Sequence, residues 1–262
     1  MSHGFHVVIP ARMGSTRFFG KPLVDIAGRA MVLRVVEQAL AAGADSVIVA
    51  TDHADIFKCV TDAGYVAHMT HADHPSGTDR IAQVAVERGW HDDDIVVNVQ
   101  GDEPAIAPIL VAAVAAQLHA SSGSVMSTAA HALSSVADFL NPNIVKVVLD
   151  DANCALYFSR APIPYPRDTM RAVHGEPLTT LPSDFPALRH MGIYAYRVGF
   201  LKQYGQLPVS MLEQYESLEQ LRVLANGHSI VVHVSDAAAA PGVDEPADVA
   251  LVEAYLQAQS RH

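Results

Sequence analysis

Arg12, Arg17 and Lys21 fall within ten residues of one another, in a chain of 262 residues that carries only 17 lysines and arginines. They belong to the run Pro10-Ala-Arg-Met-Gly-Ser-Thr-Arg-Phe-Phe-Gly-Lys-Pro-Leu23, where Gly14, Ser15 and Gly20 are interleaved with the cations. Clustered cations beside glycines, which let backbone amides approach a ligand closely, suit an anionic phosphate chain. Neither common phosphate loop is present. A Walker loop has four residues between its first glycine and Gly-Lys, then Ser or Thr; here five residues separate Gly14 from Gly20, and Pro22 follows Lys21. The GxGxxG spacing is absent as well. A basic surface turn between a strand and a helix is the alternative reading of the same run.

Two carboxylates extend the chemistry. Asp102 lies in Asn98-Val-Gln-Gly-Asp-Glu-Pro104, just past a strand-like stretch, and Asp244 lies in Gly242-Val-Asp-Glu-Pro-Ala-Asp248 ahead of a helical pattern. Carboxylates of this kind hold Mg²⁺, a hard cation that takes a few carboxylates together with phosphate oxygens. Read blandly, Asp102 is a turn residue before a proline, and Asp244 caps a helix with Pro246 in its first turn.

The elements that must position these residues follow from periodicity. His6–Ile9, Ser46–Thr51 and Ile95–Gln100 read as buried strands, separated by helical patterns, which is the signature of a parallel sheet with crossover helices. Val32, Val35, Val36, Ala39 and Leu40 share one helical face that stops at Gly43. A second helix covers Ala54–Ala63 and stops at Gly64; a third follows Ser76 or Thr78 as N-cap and ends near Gly89. In the second half, Asn143–Leu149, Ala155–Ser159, Ile193–Tyr196 and Ser229–Val234 read as strands. Leu212–Ala225, ending at Gly227, and Asp248–Gln257 read as helices, and Pro162–Pro186 as a long irregular loop or arm. Loops at the carboxyl ends of parallel strands are where such sheets bind ligands, which is where Arg12 and Asp102 fall.

Composition bounds the rest. Half the residues are hydrophobic and 17% are charged, enough for one large core without disulfides or metal staples. The formal net charge of -11 argues against a nucleic-acid or anionic-membrane partner, while leaving room for a small anionic substrate at a local cationic cluster. Cys59 and Cys154 form no CxxC pair, no export segment precedes the first strand, and no window is apolar enough to span a membrane. A cytoplasmic location is expected.

The motifs taken together resemble the 3-deoxy-manno-octulosonate (Kdo) cytidylyltransferase family, whose members make CMP-Kdo for lipopolysaccharide. Beside the loop, the resemblance includes ADHPSGTDR at Ala72–Arg80, NVQGDEP at Asn98–Pro104 and NPNIVKVVLD at Asn141–Asp150. It continues through ALYFSRAPIPY at Ala155–Tyr165, LRHMGIYAYR at Leu188–Arg197, LEQLR at Leu218–Arg222 and GVDEPAD at Gly242–Asp248. It implies an α/β fold: a Rossmann-like, mostly parallel sheet of the nucleotide-diphospho-sugar transferase type, with a smaller mixed subdomain used for dimerisation. It implies one nucleotidyltransferase domain over 1–262, with a nucleotide part near 5–120, a sugar and dimer part near 121–235 and a metal-binding tail over 236–262. By this resemblance Arg12, Ser15, Arg17 and Lys21 bind the CTP phosphates, Ser76, Gly77 and Arg80 lie at the nucleotide, and Asp102 and Asp244 hold Mg²⁺. Lys21, Asp102 and Asp244 form the catalytic set. Gln100, Arg160, His190, Tyr194, Glu219 and Gln220 grip Kdo, with Arg160 suited to its carboxylate and Gln100, Glu219 and His190 to its hydroxyls. The partners implied are CTP, Kdo and a second copy of the chain.

The chain departs from the family where Phe18-Phe19 replaces the usual Leu-Pro, and where Asp168–Ala187 follows no expected pattern. A transferase for another acceptor, such as a sialic acid or a sugar phosphate, would share the loop but differ at Gln100, Arg160 and His190. A nucleotide sensor without catalysis would have no use for both Asp102 and Asp244. His68, His71 and His74, three apart with Asp73 among them, could suggest a transition-metal site, although neighbouring ligands in one loop rarely close a site alone. Asp92–Asp94 reads as a solvated turn, and the two cysteines as packing residues.

Overall fold

The computed structural model describes residues 4–14, 18–167, 180–182 and 184–259. In chain order the first elements are β1 (His6–Ala11), α1 (Met31–Ala41), β2 (Ser46–Thr51), α2 (Ala54–Asp62), β3 (Val66–Met69), α3 (Gly77–Glu87), β4 (Ile95–Asn98) and α4 (Pro108–Ala120). There follow β5 (Met126–Ala132), α5 (Val136–Leu140), β6 (Lys146–Leu149), β7 (Ala155–Ser159), β8 (Leu188–Arg197) and α6 (Val198–Tyr204). The last are α7 (Met211–Glu216), α8 (Gln220–Ala225), β9 (Ile230–Ser235) and α9 (Asp248–Gln259). They fall into two compact units: 1–120 with 193–206 and 239–262, and 121–192 with 207–238.

The first unit is the expected α/β arrangement. Its strands run β3-β2-β1-β4, all parallel, and residues 194–197 of β8 add antiparallel to β4 with Asn98 opposite Tyr194. Val7, Val8, Ile9, Val49, Val96 and Val97 are fully buried, as strands covered on both faces by crossover helices must be. Helix α1 buries Val32, Val35, Val36 and Ala39, the stripe its 3.6-residue period predicts. The predicted stops at Gly43 and Gly64 both hold positive φ. A separate cluster of Ile26, Met31, Ala105, Val243 and Val252 ties α9 and the chain before it to the segments around Lys21 and Asp102. Burial of each large apolar side chain there contributes roughly 1.5–3 kcal/mol.

In the second unit β5 and β9 pair in parallel, while β6 pairs antiparallel with β7 and with Leu188–Arg189 of β8. Three expectations change here and nearby. The strand predicted over Asn143–Leu149 begins only at Lys146, because the preceding residues form a turn in which Ile144 N–H donates to Asn141 O at 3.2 Å. The single helix predicted over Leu212–Ala225 is two, α7 and α8, broken where Ser217 takes a left-handed φ of 52°. Helix α4 was not foreseen: its run PILVAAVAAQLHA is apolar around the whole circumference and so lacks a one-sided period.

Candidate active site

Three chain segments far apart in sequence converge at the carboxyl ends of β1 and β4. The loop after β1 is closed by Gly20, which at φ 73° donates its N–H to Met13 O at 3.1 Å and leads into a 3-10 turn, Lys21–Leu23. This left-handed backbone is one that glycine alone adopts at no steric cost. The turn aims Lys21, 9% exposed, so that Nζ lies 2.8 Å from Asp102 Oδ2 and 3.6 Å from Asp244 Oδ1. Asp102 is brought there by Gly101, where an added Cβ would lie 2.9 Å from Pro10 O; only glycine permits this approach of the strand ends. The third segment docks on the second, since Val243 N–H donates to Asp102 O at 2.9 Å. Asp248 Oδ2 accepts from the Asp244 and Glu245 N–H groups at 2.8 Å each, which folds this segment back on the start of α9 and leaves the Asp244 carboxylate near Lys21.

A cleft of about 300 Å³ opens over these groups, lined among others by Arg12, Lys21, Gly77, Gln100, Asp102 and Asp244. Arg12 Nη2 donates to His74 O at 2.9 Å and so anchors the segment leading into α3. Ser76 is the N-cap of α3: its hydroxyl accepts from Asp79 N–H at 3.2 Å and donates to Asp79 Oδ2 at 2.6 Å. Gly77 therefore presents the amino end of an 11-residue helix to the cleft, which favours anions. Arg80 is fully buried and bonds Asp52 Oδ2 at 2.8 Å and the Thr70 hydroxyl, bracing the ends of β2 and β3. Ser15 and Arg17 lie outside the described residues.

Among the described residues, Lys21 is the cation in contact with the two carboxylates, and Arg12 also lines the cleft. One lysine faces two carboxylates, and Glu103 beside them has its pKa pushed up to about 7, by burial first and then by Asp102 and Asp244. Asp102 and Asp244 are the pair that could hold a divalent cation. Among the described residues no group of three or more His, Cys, Asp or Glu could hold a metal by itself. The histidine run is engaged otherwise, with His68 Nε2 2.6 Å from Glu87 and His74 Nε2 2.6 Å from Gln83.

The remaining predicted residues divide between the units. Gln100 lines the cleft, and Tyr194 lies on β8 opposite Asn98 with its ring 6.3 Å from Tyr196. In the second unit, His190 is packed edge-on against Phe158 at 5.0 Å, with Nε2 2.9 Å from the Thr128 hydroxyl. Burial pushes its pKa down to about 3, so the ring is neutral at neutral pH and serves as a hydrogen-bonding group. Gln220 is 4% exposed and its Nε2 has no partner among the described residues, a buried donor of the kind a polar ligand or water satisfies. Glu219 precedes it at the N-cap of α8. Arg160 is gripped by carbonyls: Nε donates to Glu216 O at 2.7 Å, Nη1 to Pro142 O at 3.1 Å and Nη2 to Ser217 O at 3.5 Å.

Sequence reasoning missed the groups that hold Arg160. Glu216 takes the Arg160 N–H at 2.9 Å and the Ser159 hydroxyl at 2.6 Å, and Lys146 is wholly buried beneath the same turn. A lysine inside the apolar run Ile144-Val-Lys-Val-Val148 was the available signal, since an unpaired lysine is rarely found among core residues.

A family model described as cytidylyltransferase matches residues 6–230. The chain is 53% identical over 252 residues to a 3-deoxy-manno-octulosonate cytidylyltransferase of Herminiimonas arsenicoxydans, covering 96% of this chain and 98% of that protein. Among solved structures, a CMP:2-keto-3-deoxy-manno-octonic acid synthetase complexed with CTP has a TM-score of 0.87 at 42% identity, covering 98% of this chain and 100% of that one. A cytidylyltransferase from Leptospira borgpetersenii serovar Hardjo-bovis, 13% identical with a TM-score of 0.59 over 98% and 88% of the two chains, shares the fold.

Proposed function

The chain belongs to the 3-deoxy-manno-octulosonate cytidylyltransferase family, and from that premise we propose that it activates Kdo with CTP, giving CMP-Kdo and pyrophosphate for lipopolysaccharide synthesis. The observation that carries this reading is the convergence of Lys21, Asp102 and Asp244 on one cleft at the strand ends.

In this reading the anomeric hydroxyl of Kdo attacks the α-phosphorus of CTP in line, the bond to the bridging oxygen breaks, and pyrophosphate leaves. Reactions of this type need positioning and charge neutralisation more than covalent chemistry. Lys21 and Arg12 supply cations to the phosphates, and the family resemblance gives Ser15 and Arg17 the same role. Ser76 and Gly77 offer the amino end of α3 to the nucleotide. Arg80 contributes by holding the strand ends behind that helix, through Asp52 and Thr70.

Asp102 and Asp244 fit Mg²⁺: they are two carboxylates facing a single lysine beside a cleft, and Mg²⁺ commonly takes one or two carboxylates and completes its shell with phosphate oxygens and water. When bound, the ion neutralises phosphate charge and lowers the pKa of the attacking hydroxyl. To the acceptor we assign Gln100, Tyr194, Arg160, His190, Glu219 and Gln220, as the family resemblance implies. Neutral His190 and the unpartnered Gln220 Nε2 suit hydroxyls, and Arg160 suits the carboxylate.

A homodimer is part of the same reading. Exposed Leu156, Val209, Met211, Leu212 and Tyr215 of the second unit offer apolar surface for a second copy, and light scattering tests it by mass. A cytoplasmic location is supported by the free thiols of Cys59 and Cys154; among the described residues no helix is long and apolar enough to cross a membrane. Pyrophosphate release, measured with Kdo and each nucleoside triphosphate, tests the activity. Release with CTP and Kdo supports the reading, and release only with another pair overturns it.

A further inference from the structure

Lys146 is 0% exposed, and its ammonium is surrounded by backbone carbonyls: Asn141 O at 2.9 Å, Ile144 O at 2.6 Å and Arg160 O at 2.7 Å. Three acceptors use all three N–H bonds of an ammonium, whereas a neutral amine has only two to give. The bonds therefore hold the charged form. Burial pushes the pKa of this group down, while nearby Glu216 pulls it up and Arg160 lowers it further. A buried lysine so bonded acts as an internal cation that ties the 141–144 turn to the end of β7.

What it ties down is Arg160. The Arg160 carbonyl goes to Lys146, its N–H goes to Glu216 Oε2, and its side chain donates to the carbonyls of Glu216, Pro142 and Ser217. Pro142 belongs to the turn that Lys146 organises, and Ser217 owes its carbonyl direction to the left-handed φ that separates α7 from α8. Of the five N–H bonds of a guanidinium, three are engaged among the described residues, which leaves one on each Nη. Lys146, Arg160 and Glu216 together carry two positive charges and one negative, a surplus that a carboxylate ligand would balance.

We propose that Lys146, with Glu216 as its counterpart, is a positioning residue for the acceptor carboxylate: it fixes Arg160 so that the two spare N–H bonds are presented in a set direction. This rests on the reading that Arg160 binds that carboxylate. A planar guanidinium gains from being held in advance, because less freedom is lost when the ligand binds.

The test compares the full-length chain with Lys146→Met and Glu216→Gln. Glu216→Gln keeps the side chain's shape but replaces one of its two acceptor oxygens with a donor, and serves if Lys146→Met fails to fold. Each variant is expected to raise KM for Kdo by about tenfold or more while KM for CTP stays within about twofold, the pattern of lost acceptor binding rather than general damage. In ¹⁵N NMR without substrates, the Arg160 Nε–H signal, expected to be sharp and slow to exchange in the parent, should broaden or exchange rapidly in both variants. Arg160→Ala separates the two layers of the argument. If it raises KM for Kdo but neither positioning variant does, or if the Nε–H signal persists in them, the role of Lys146 is overturned and the site reading stands. If Arg160→Ala leaves KM for Kdo unchanged, the carboxylate assignment fails and the positioning role fails with it.

Discussion

Replacing Lys21 by alanine removes a cation that, among the described residues, reaches both Asp102, at 2.8 Å, and Asp244, at 3.6 Å. The variant loses a charge-assisted contact to the phosphates that is strongest where charge develops in the transition state. That loss is worth on the order of 3 kcal/mol, about a hundredfold in rate. The fold should survive, because the 3-10 turn is held by backbone bonds and by buried Pro22, and an ion pair with a partly exposed Asp102 contributes little. A second effect has the opposite sign. In the proposed site Lys21 competes with Mg²⁺ for the same carboxylates, so its loss removes a unit charge roughly 4 Å from a divalent ion, worth about 2 kcal/mol in a water-like dielectric. The magnesium concentration giving half-maximal rate should then fall by roughly thirtyfold. The assay is continuous pyrophosphate release at saturating CTP and Kdo across a magnesium titration, with a thermal melt as the folding control. Near-normal turnover in a folded Lys21→Ala protein would refute the site, and an unchanged magnesium midpoint would refute the competition.

Asp102→Asn should cost about a hundredfold in kcat with an unchanged melting temperature, and the same kinetic assay reads it. Gly101→Ala places a Cβ 2.9 Å from Pro10 O, so a destabilisation of about 1–3 kcal/mol is expected in urea unfolding, together with slower turnover as the Lys21–Asp102 geometry shifts. His190 has a folded pKa of about 3, below its ordinary 6.5, so its neutral form favours the folded state in full above pH 6.5. That contribution is lost as pH falls from 6.5 towards 3, by up to about 1.4 kcal/mol per pH unit. Urea midpoints between pH 7 and 5 should therefore slope less in His190→Gln than in the parent, and equal slopes would contradict the burial argument.

The sequence was most legible where a local rule and the tertiary structure agree. Strands β1, β2 and β4 are buried on both faces and read as apolar runs, and α1 buries the stripe its period requires. It was least legible where tertiary bonds decide the backbone. Nothing in the period of residues 211–225 announces Ser217 in the left-handed region; its carbonyl there meets Arg160, from β7's end, far away in sequence. Strand β3 escaped because it is short and only half-buried, so its pattern is weak. In the candidate site, runs of glycines and charged residues singled out the loop, Asp102 and Asp244, and the structure brings Lys21, Asp102 and Asp244 together. The inward turn of Arg80 was hidden, since an arginine on a helix shows in sequence neither which way it faces nor that Asp52 and Thr70 await it. Lys146 stood out as a lysine in an apolar run, but its partners were hidden, being carbonyls that belong to any residue type.

The most direct measurement is pyrophosphate release by the full chain with Kdo and each of the four nucleoside triphosphates, with magnesium and again with excess chelator. The account predicts rapid release with CTP, Kdo and magnesium together, and loss of turnover when the metal is removed. Equal rates with the chelator would contradict the role given to Asp102 and Asp244, and release that requires a different nucleotide or acceptor would contradict the function itself.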